Sequence, residues 1–165
     1  MLTGKIALVT GASRGIGKAI ALDLAAQGAT VIGTATSEAG AENISAYLSE
    51  AGATGAGKCL NVTEAEMITS VLAEITKEFG VPTILVNNAG ITRDNLLMRM
   101  KDDEWDDIIQ TNLTSIFKLS KACLRAMMKA KKGRIISIAS VVGLTGNPGQ
   151  ANYAAAKAGI FAMTA

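Results

Sequence analysis

Lys5-Ile6-Ala7-Leu8-Val9-Thr10-Gly11-Ala12-Ser13-Arg14-Gly15-Ile16-Gly17 is the stretch whose reading decides the fold. Its first half, Lys5 to Thr10, is a short apolar run that ends at glycine, the pattern of a buried strand. Ile16 to Gln27 follows with helical spacing, and Gly28 supplies a stop signal. Glycines between a strand and a helix allow a tight turn and let backbone approach a pyrophosphate, while the helix start offers free N–H groups. Gly11, Ser13, Arg14, Gly15, Ile16 and Gly17 are therefore candidate nucleotide-binding residues. A P-loop would need glycine at position 12 and Ser or Thr after Lys18, where the chain has Ala12 and Ala19, so an NTPase is disfavoured.

The same alternation continues outward from this unit. Thr30 to Ala35 reads as a strand, Glu38 to Glu50 as a helix, Gly57 to Leu60 as a weak strand and Glu64 to Phe79 as a helix. Thr83 to Asn87 is a strongly apolar strand, a long helix is predicted from about Glu104 to Ala130, and Arg134 to Ala139 forms a fifth strand. A final helix begins near Asn152. Strands bounded by helices in strict alternation indicate an α/β fold with a doubly wound, Rossmann-like parallel sheet. The order 3-2-1-4-5 places the first and fourth strands side by side, and ligands bind at that switch point, beyond the carboxyl ends of the strands. The glycine loop, Asn61, the Asn88-Ala89-Gly90 turn and Ser140 all fall at such ends, so separate motifs converge on one edge of a single domain spanning 1–165.

A carboxylate closing the second strand would hold a ribose 2′-hydroxyl, but Thr34-Ala35-Thr36-Ser37 stands there instead. With a cation at Arg14 and hydroxyls at Thr36 and Ser37, NADP(H) is preferred over NAD(H).

Composition narrows the chemistry further. Of 165 residues, 49% are hydrophobic and 18% charged, which suits a buried globular core, and a net charge of +2 gives no reason to invoke nucleic acid. Histidine is absent, which removes the commonest general base and the commonest zinc ligand, so no metal is expected. Cys59 and Cys123 lack metal-binding or redox spacing and read as buried, reduced thiols, which fits a cytoplasmic location. No apolar run approaches a membrane span, and no signal peptide is evident at the N-terminus. Met98, Met100, Met127 and Met128 are expected to be packing residues, and Trp105 to lie in packing or an interface. A local basic tract, Lys129, Lys131, Lys132 and Arg134, reads either as a partner surface or as a solvated helix end.

Near the C-terminus, Tyr153 and Lys157 stand four apart at the start of a helix, with Ser140 thirteen residues before Tyr153 at a strand end. Positions four apart share a helix face, and an ammonium favours the ionised form of a neighbouring phenol. A Gly-containing return, Gly143 to Gly149, lets hydroxyl and phenol meet over the fourth and fifth strands, where a carbonyl oxygen could accept from both.

With these residues assembled, the chain resembles a short-chain dehydrogenase/reductase, which carries Thr-Gly-x-x-x-Gly-x-Gly, Asn-Asn-Ala-Gly and Tyr-x-x-x-Lys. These stand at Thr10 to Gly17, Asn87 to Gly90 and Tyr153 to Lys157. Through Asn88 to Met98 and Gly149 to Lys157 it is more narrowly similar to the bacterial branch that reduces 3-oxoacyl thioesters held on acyl carrier protein. The resemblance implies a catalytic tetrad of Asn112, Ser140, Tyr153 and Lys157. Tyr153 would donate the proton and Ser140 would polarise the carbonyl. Lys157 would activate the tyrosine and bind the nicotinamide ribose, and Asn112 would hold a water in a relay. It further implies Arg14 and Thr36 at a 2′-phosphate, and Asn61, Val62, Asn88, Ala89 and Gly90 along the nucleotide, although many members carry Asp where Asn61 stands. Acyl carrier protein bearing a β-ketoacyl thioester is the implied partner, and the helix from Glu104 resembles the family's dimerisation helix, implying a homo-oligomer, a tetramer in the family.

Ala154 to Ala165 reads as a helix that stops among apolar residues, without a glycine cap or a basic last turn. The family continues with a sixth strand, whose Pro-Gly turn meets the nicotinamide, a substrate lid and a seventh strand. The expectation is a C-terminally truncated member, either part of a ketoacyl reductase or a nucleotide-binding module without turnover. A reductase of another carbonyl, such as a steroid, sugar or polyol, is the remaining reading.

Overall fold

The computed structural model describes residues 1–164. Five parallel strands, β1 (Ile6–Val9), β2 (Thr30–Ala35), β3 (Gly55–Cys59), β4 (Ile84–Asn87) and β5 (Arg134–Ser137), lie in the order β3-β2-β1-β4-β5. The connecting helices are α1 (Gly15–Ala26), α2 (Glu38–Glu50), α3 (Ala65–Glu78), α4 (Asp102–Ile109), α5 (Ser115–Ala130), α6 (Val142–Thr145) and α7 (Ala151–Thr164). Ala165, which the sequence reading included in the last helix, lies outside the described residues.

Successive side chains of a strand face opposite sides of the sheet, and β1 feeds two cores in this way. Ala7 and Val9 pack with Val31, Ala21, Ile44 and Leu48 beneath α1 and α2. Leu8 packs with Ile32, Leu85, Ile75, Leu119 and Cys123 beneath α3 and α5. Burial of both faces explains why these strands read as continuous apolar runs rather than alternating ones.

The sequence made β3 the weakest strand, and the structure shows why. A Cβ on Gly57 would come within 1.9 Å of the Ala41 carbonyl oxygen, so the strand is built from small residues because α2 lies directly on it. It starts at Gly55, two residues earlier than expected.

The predicted Glu104–Ala130 helix is three elements: α4, a π turn over Gln110–Thr114, and α5. A π turn inserts an extra residue and re-aims the side chains within it, and such turns are frequent at functional sites. Side-chain expectations also need correcting. Met127 is buried, but Met98 is 89% exposed on a surface 3-10 turn (Leu97–Arg99), and Met128, one step round α5 from the buried face, is 69% exposed. Trp105 is 40% exposed on α4, which leaves the interface rather than the interior of its two expected places. Cys123 is buried as expected, whereas Cys59 is only partly so.

Burial pushes the Cys123 thiol up to about 11. An alkylating reagent at mildly alkaline pH should therefore label Cys59 in the native protein and Cys123 only after denaturation. Mass spectrometry of the labelled peptides reads this out, and prompt native labelling of Cys123 would contradict the packing of α5 on the sheet.

Candidate active site

Pairing of β1 with β4 brings the glycine loop against the Asn88-Ala89-Gly90 turn. Gly11 has φ +63°, and a Cβ there would lie 2.9 Å from the Ala89 Cα, so the position requires glycine for both conformation and space. The Asn88 amide donates to the Gly11 carbonyl at 3.0 Å. Thr10, which sequence reasoning treated only as part of the motif, joins the two segments. Its buried hydroxyl accepts from the backbone N–H groups of Asn88 and Ala89, each at 3.0 Å, and donates to the Val86 carbonyl at 3.4 Å.

A crevice of about 520 Å³ runs along this edge. Gly11, Ser13, Arg14, Gly15 and Ile16 form one wall, Thr36 stands at the end of β2, and Asn61, Val62, Asn88, Ala89 and Gly90 form the other side. Gly17 is the exception among the expected nucleotide residues. It is buried under the loop rather than in the crevice, and a Cβ there would sit 2.2 Å from the Gly11 carbonyl oxygen. Asn61 reaches the crevice, but its Oδ1 is committed to an Asx turn, accepting from the Thr63 N–H at 3.0 Å and hydroxyl at 2.7 Å.

A second cavity of about 620 Å³ adjoins the first and shares Arg14, Ile16, Asn88, Gly90 and Ile91 with it. Ser140, Tyr153 and Lys157 all line it. Lys157 is 6% exposed, its ammonium donates to the Ile138 carbonyl at 3.0 Å, and it lies 5.4 Å from the centre of the Tyr153 ring. Burial holds its pKa below the ordinary lysine range. Ser140 follows β5, and its Oγ accepts from the Val142 N–H at 3.3 Å. The adjoining cavities fall in the size range of small-molecule sites. Arg14 and Thr36 at one end, the open first-turn amides of α1, and the absence of any carboxylate among the described lining residues suit a phosphorylated dinucleotide.

Asn112 stands apart from this group. It is fully buried in the π turn and lines neither cavity. Its Oδ1 accepts from the Ile91 N–H at 2.9 Å and its Nδ2 donates to the Ile91 carbonyl at 2.8 Å, so the side chain pins the backbone that floors the site.

Asn152 was missed in the sequence because an asparagine at a helix start reads as a cap. It is fully buried, and its Nδ2 donates to the carbonyls of Arg93 at 2.9 Å and Glu104 at 3.0 Å. Its Oδ1 accepts from the Tyr153 N–H at 2.8 Å. One amide thus ties the helix bearing Tyr153 to the segment entering α4. The Asn95 N–H to Gly149 carbonyl bond, 2.9 Å, adds a second tie, and Arg93 pairs with Asp107 and Asp103 on α4.

A parallel sheet with a glycine loop at its switch point and a Ser, Tyr and Lys group over β5 and α7 is the arrangement of a dehydrogenase family. The family described as short chain dehydrogenase matches residues 5–165, and the chain belongs to that family. It is 70% identical to 3-oxoacyl-[acyl-carrier-protein] reductase FabG of Salmonella typhimurium and to the protein so named in Escherichia coli, over 161 residues in each case, or 98% of this chain. It is 69% identical to the same-named protein of Vibrio cholerae over 163 residues, or 99% of this chain. The chain spans 65% to 66% of the length of these relatives.

The depressed pKa of Lys157 makes a prediction with a defined sign. Between the folded value and the ordinary lysine range the unfolded chain binds more protons than the native one, so stability rises with pH there, by at most about 1.4 kcal/mol per pH unit. From neutral into alkaline pH the urea midpoint of the parent should rise relative to that of Lys157→Met, a difference from which the opposing contribution of Cys123 cancels. Identical profiles would mean that Lys157 is not buried as described.

Proposed function

We propose that the protein is an enzyme reducing 3-oxoacyl groups carried on acyl carrier protein to 3-hydroxyacyl groups with NADPH, a step of fatty acid synthesis. The observation that carries this reading is that Ser140, Tyr153 and Lys157 line one cavity continuous with the glycine-loop crevice. The printed names of the relatives support the substrate class.

NADPH, when bound, supplies a hydride. The Ser140 and Tyr153 hydroxyls would donate to the substrate carbonyl oxygen, and the Tyr153 proton would pass to that oxygen as negative charge develops on it. Lys157 places positive charge beside the ring on which negative charge then develops, and its partial burial strengthens that attraction. Asn112 keeps Ile91 and the turn before it in register, and the family resemblance adds a relay water in its neighbourhood. Arg14 and Thr36 would hold the 2′-phosphate, Asn61, Val62 and Asn88 would lie near the adenine and its ribose, and Ala89 and Gly90 would line the nucleotide beside them; all seven line the crevice.

The exposed Lys129, Lys131 and Lys132 at the end of α5 suit an acidic carrier protein. Exposed Phe117, Leu124 and Met128 on α5 support a homo-oligomer built on that helix. Among the described residues no helix is long and apolar enough to cross a membrane, and a cytoplasmic location follows from the proposed chemistry.

The test is NADPH oxidation in the presence of a β-ketoacyl thioester, followed by absorbance. Turnover is expected, and Tyr153→Phe should lower it by about 10² to 10⁴ while leaving NADPH affinity nearly unchanged. NADPH binding without turnover in the parent would sink the reductase reading and leave a nucleotide-binding module. Arg14→Ala should weaken NADPH about tenfold and NADH little, as expected for loss of one charge-assisted contact. Equal losses would remove Arg14 from the 2′-phosphate.

A further inference from the structure

Three successive carbonyl groups of the glycine loop are taken by side chains from elsewhere in the fold. Gly11 is held by the Asn88 amide at 3.0 Å, Ala12 by the Tyr47 hydroxyl at 2.7 Å and Ser13 by the Asn43 amide at 3.0 Å. The last two donors both come from α2, thirty and thirty-five residues along the chain from the loop. In a trans peptide the carbonyl and the following N–H point in opposite directions. Tying back the Ala12 and Ser13 carbonyls therefore turns the N–H groups of Ser13 and Arg14 away from α2, on the side where both residues line the crevice. A free carbonyl oxygen facing the crevice would instead repel a phosphate.

The same helix builds the opposite corner. α2 starts directly after Thr36, capped by the Ser37 hydroxyl, which accepts from the Gly40 N–H at 3.1 Å. Gly40 brings its first turn close, since a Cβ there would lie 2.7 Å from Ala35 Cβ and 3.6 Å from Ser13 Cβ. The spacing between Thr36 and Arg14, the two residues suited to a 2′-phosphate, is thus set by one rigid element. Tyr47 is suited to a permanent tie. It is 7% exposed, burial raises its phenol to about 12 so that it stays a donor, and the Lys18 ammonium covers its ring at 5.1 Å.

We propose that Tyr47 and Asn43 are positioning residues for nucleotide binding, Tyr47 setting affinity for the dinucleotide and Asn43, through Ser13 and Arg14, setting the preference for a 2′-phosphate. The inference rests on the crevice being the NADPH site. The tie on Ser13 holds the peptide from which Arg14 extends, so its loss slackens the Arg14 N–H and in addition frees the guanidinium, whose contact only a 2′-phosphate supplies. Loss of the Tyr47 hydroxyl loosens the peptide that aims the Ser13 N–H and affects any nucleotide with a pyrophosphate.

Calorimetric titration of the parent, Asn43→Ala and Tyr47→Phe with NADPH and with NADH tests this, with melting temperatures recorded alongside. Asn43→Ala should weaken NADPH about 3- to 10-fold and NADH by no more than about twofold, and Tyr47→Phe should weaken both about 3- to 10-fold, the range expected for one lost hydrogen bond. Asn43 is exposed at the surface, so its variant tests the idea in a folded protein. Unchanged affinities, or parallel losses for both nucleotides in Asn43→Ala, would overturn the positioning role and leave a merely structural one. A parent that binds neither nucleotide would remove the NADPH reading and this inference together, whereas a parent that binds NADPH with an unshifted ratio in Asn43→Ala would remove this inference alone.

Discussion

The parallel pairing of β1 with β4 is the constraint on which the site depends. Val9 stands opposite Val86 in that register, so the chain leaves two neighbouring strands at the same level and must turn in opposite directions to reach its helices. The gap opened in this way is the crevice. The Thr10 hydroxyl closes its base by binding two N–H groups and one carbonyl of the facing segment, leaving a buried polar group fully used. A threonine serves here because its hydroxyl can accept and donate at once while its methyl group suits a strand end.

The second half of the site is assembled on the edge of the sheet by a different logic. β5 continues its pairing with β4 through the Ile138 N–H to Asn87 carbonyl bond, and the Ile138 carbonyl then receives the Lys157 ammonium. Lys157 thereby joins α7 to the strand that presents Ser140. Asn152 joins the same helix to the Arg93 to Glu104 region, and Asn112 joins the π turn to Ile91. Three buried polar side chains thus hold α7, β5 and the π turn around the glycine-loop crevice, each through at least one partner distant in sequence. Such networks cost stability if half-made and confer one defined geometry when complete.

Much of this was legible in the chain because it rests on local rules. Apolar runs between helical stretches yield the strand order once right-handed crossovers are imposed, and the glycine spacing marks the loop by the backbone freedom it needs. Ser140, Tyr153 and Lys157 were recognisable by type and spacing, and they share a cavity. The residues expected along a nucleotide line one crevice, apart from Gly17, which packs under the loop.

What stayed hidden depends on partners that no spacing rule connects. Asn112 could be placed on a helix but not in a π turn, because that turn is sustained by Ile91 and by the close approach of α7, where Leu113 meets Gly159. Nothing in the spacing of the Glu38 to Glu50 helix marks Tyr47 and Asn43 as partners of the glycine loop, thirty-five and thirty residues away. Met98 and Met128 looked buried by residue type and are exposed, since hydrophobicity says what a side chain prefers and not which neighbours reach it. Periodicity, turn chemistry and residue type were thus enough for the order of the strands and for which side chains gather at one edge of the sheet. Their orientation had to await long-range packing, because direction comes from hydrogen bonds and contacts that exist only once distant segments meet.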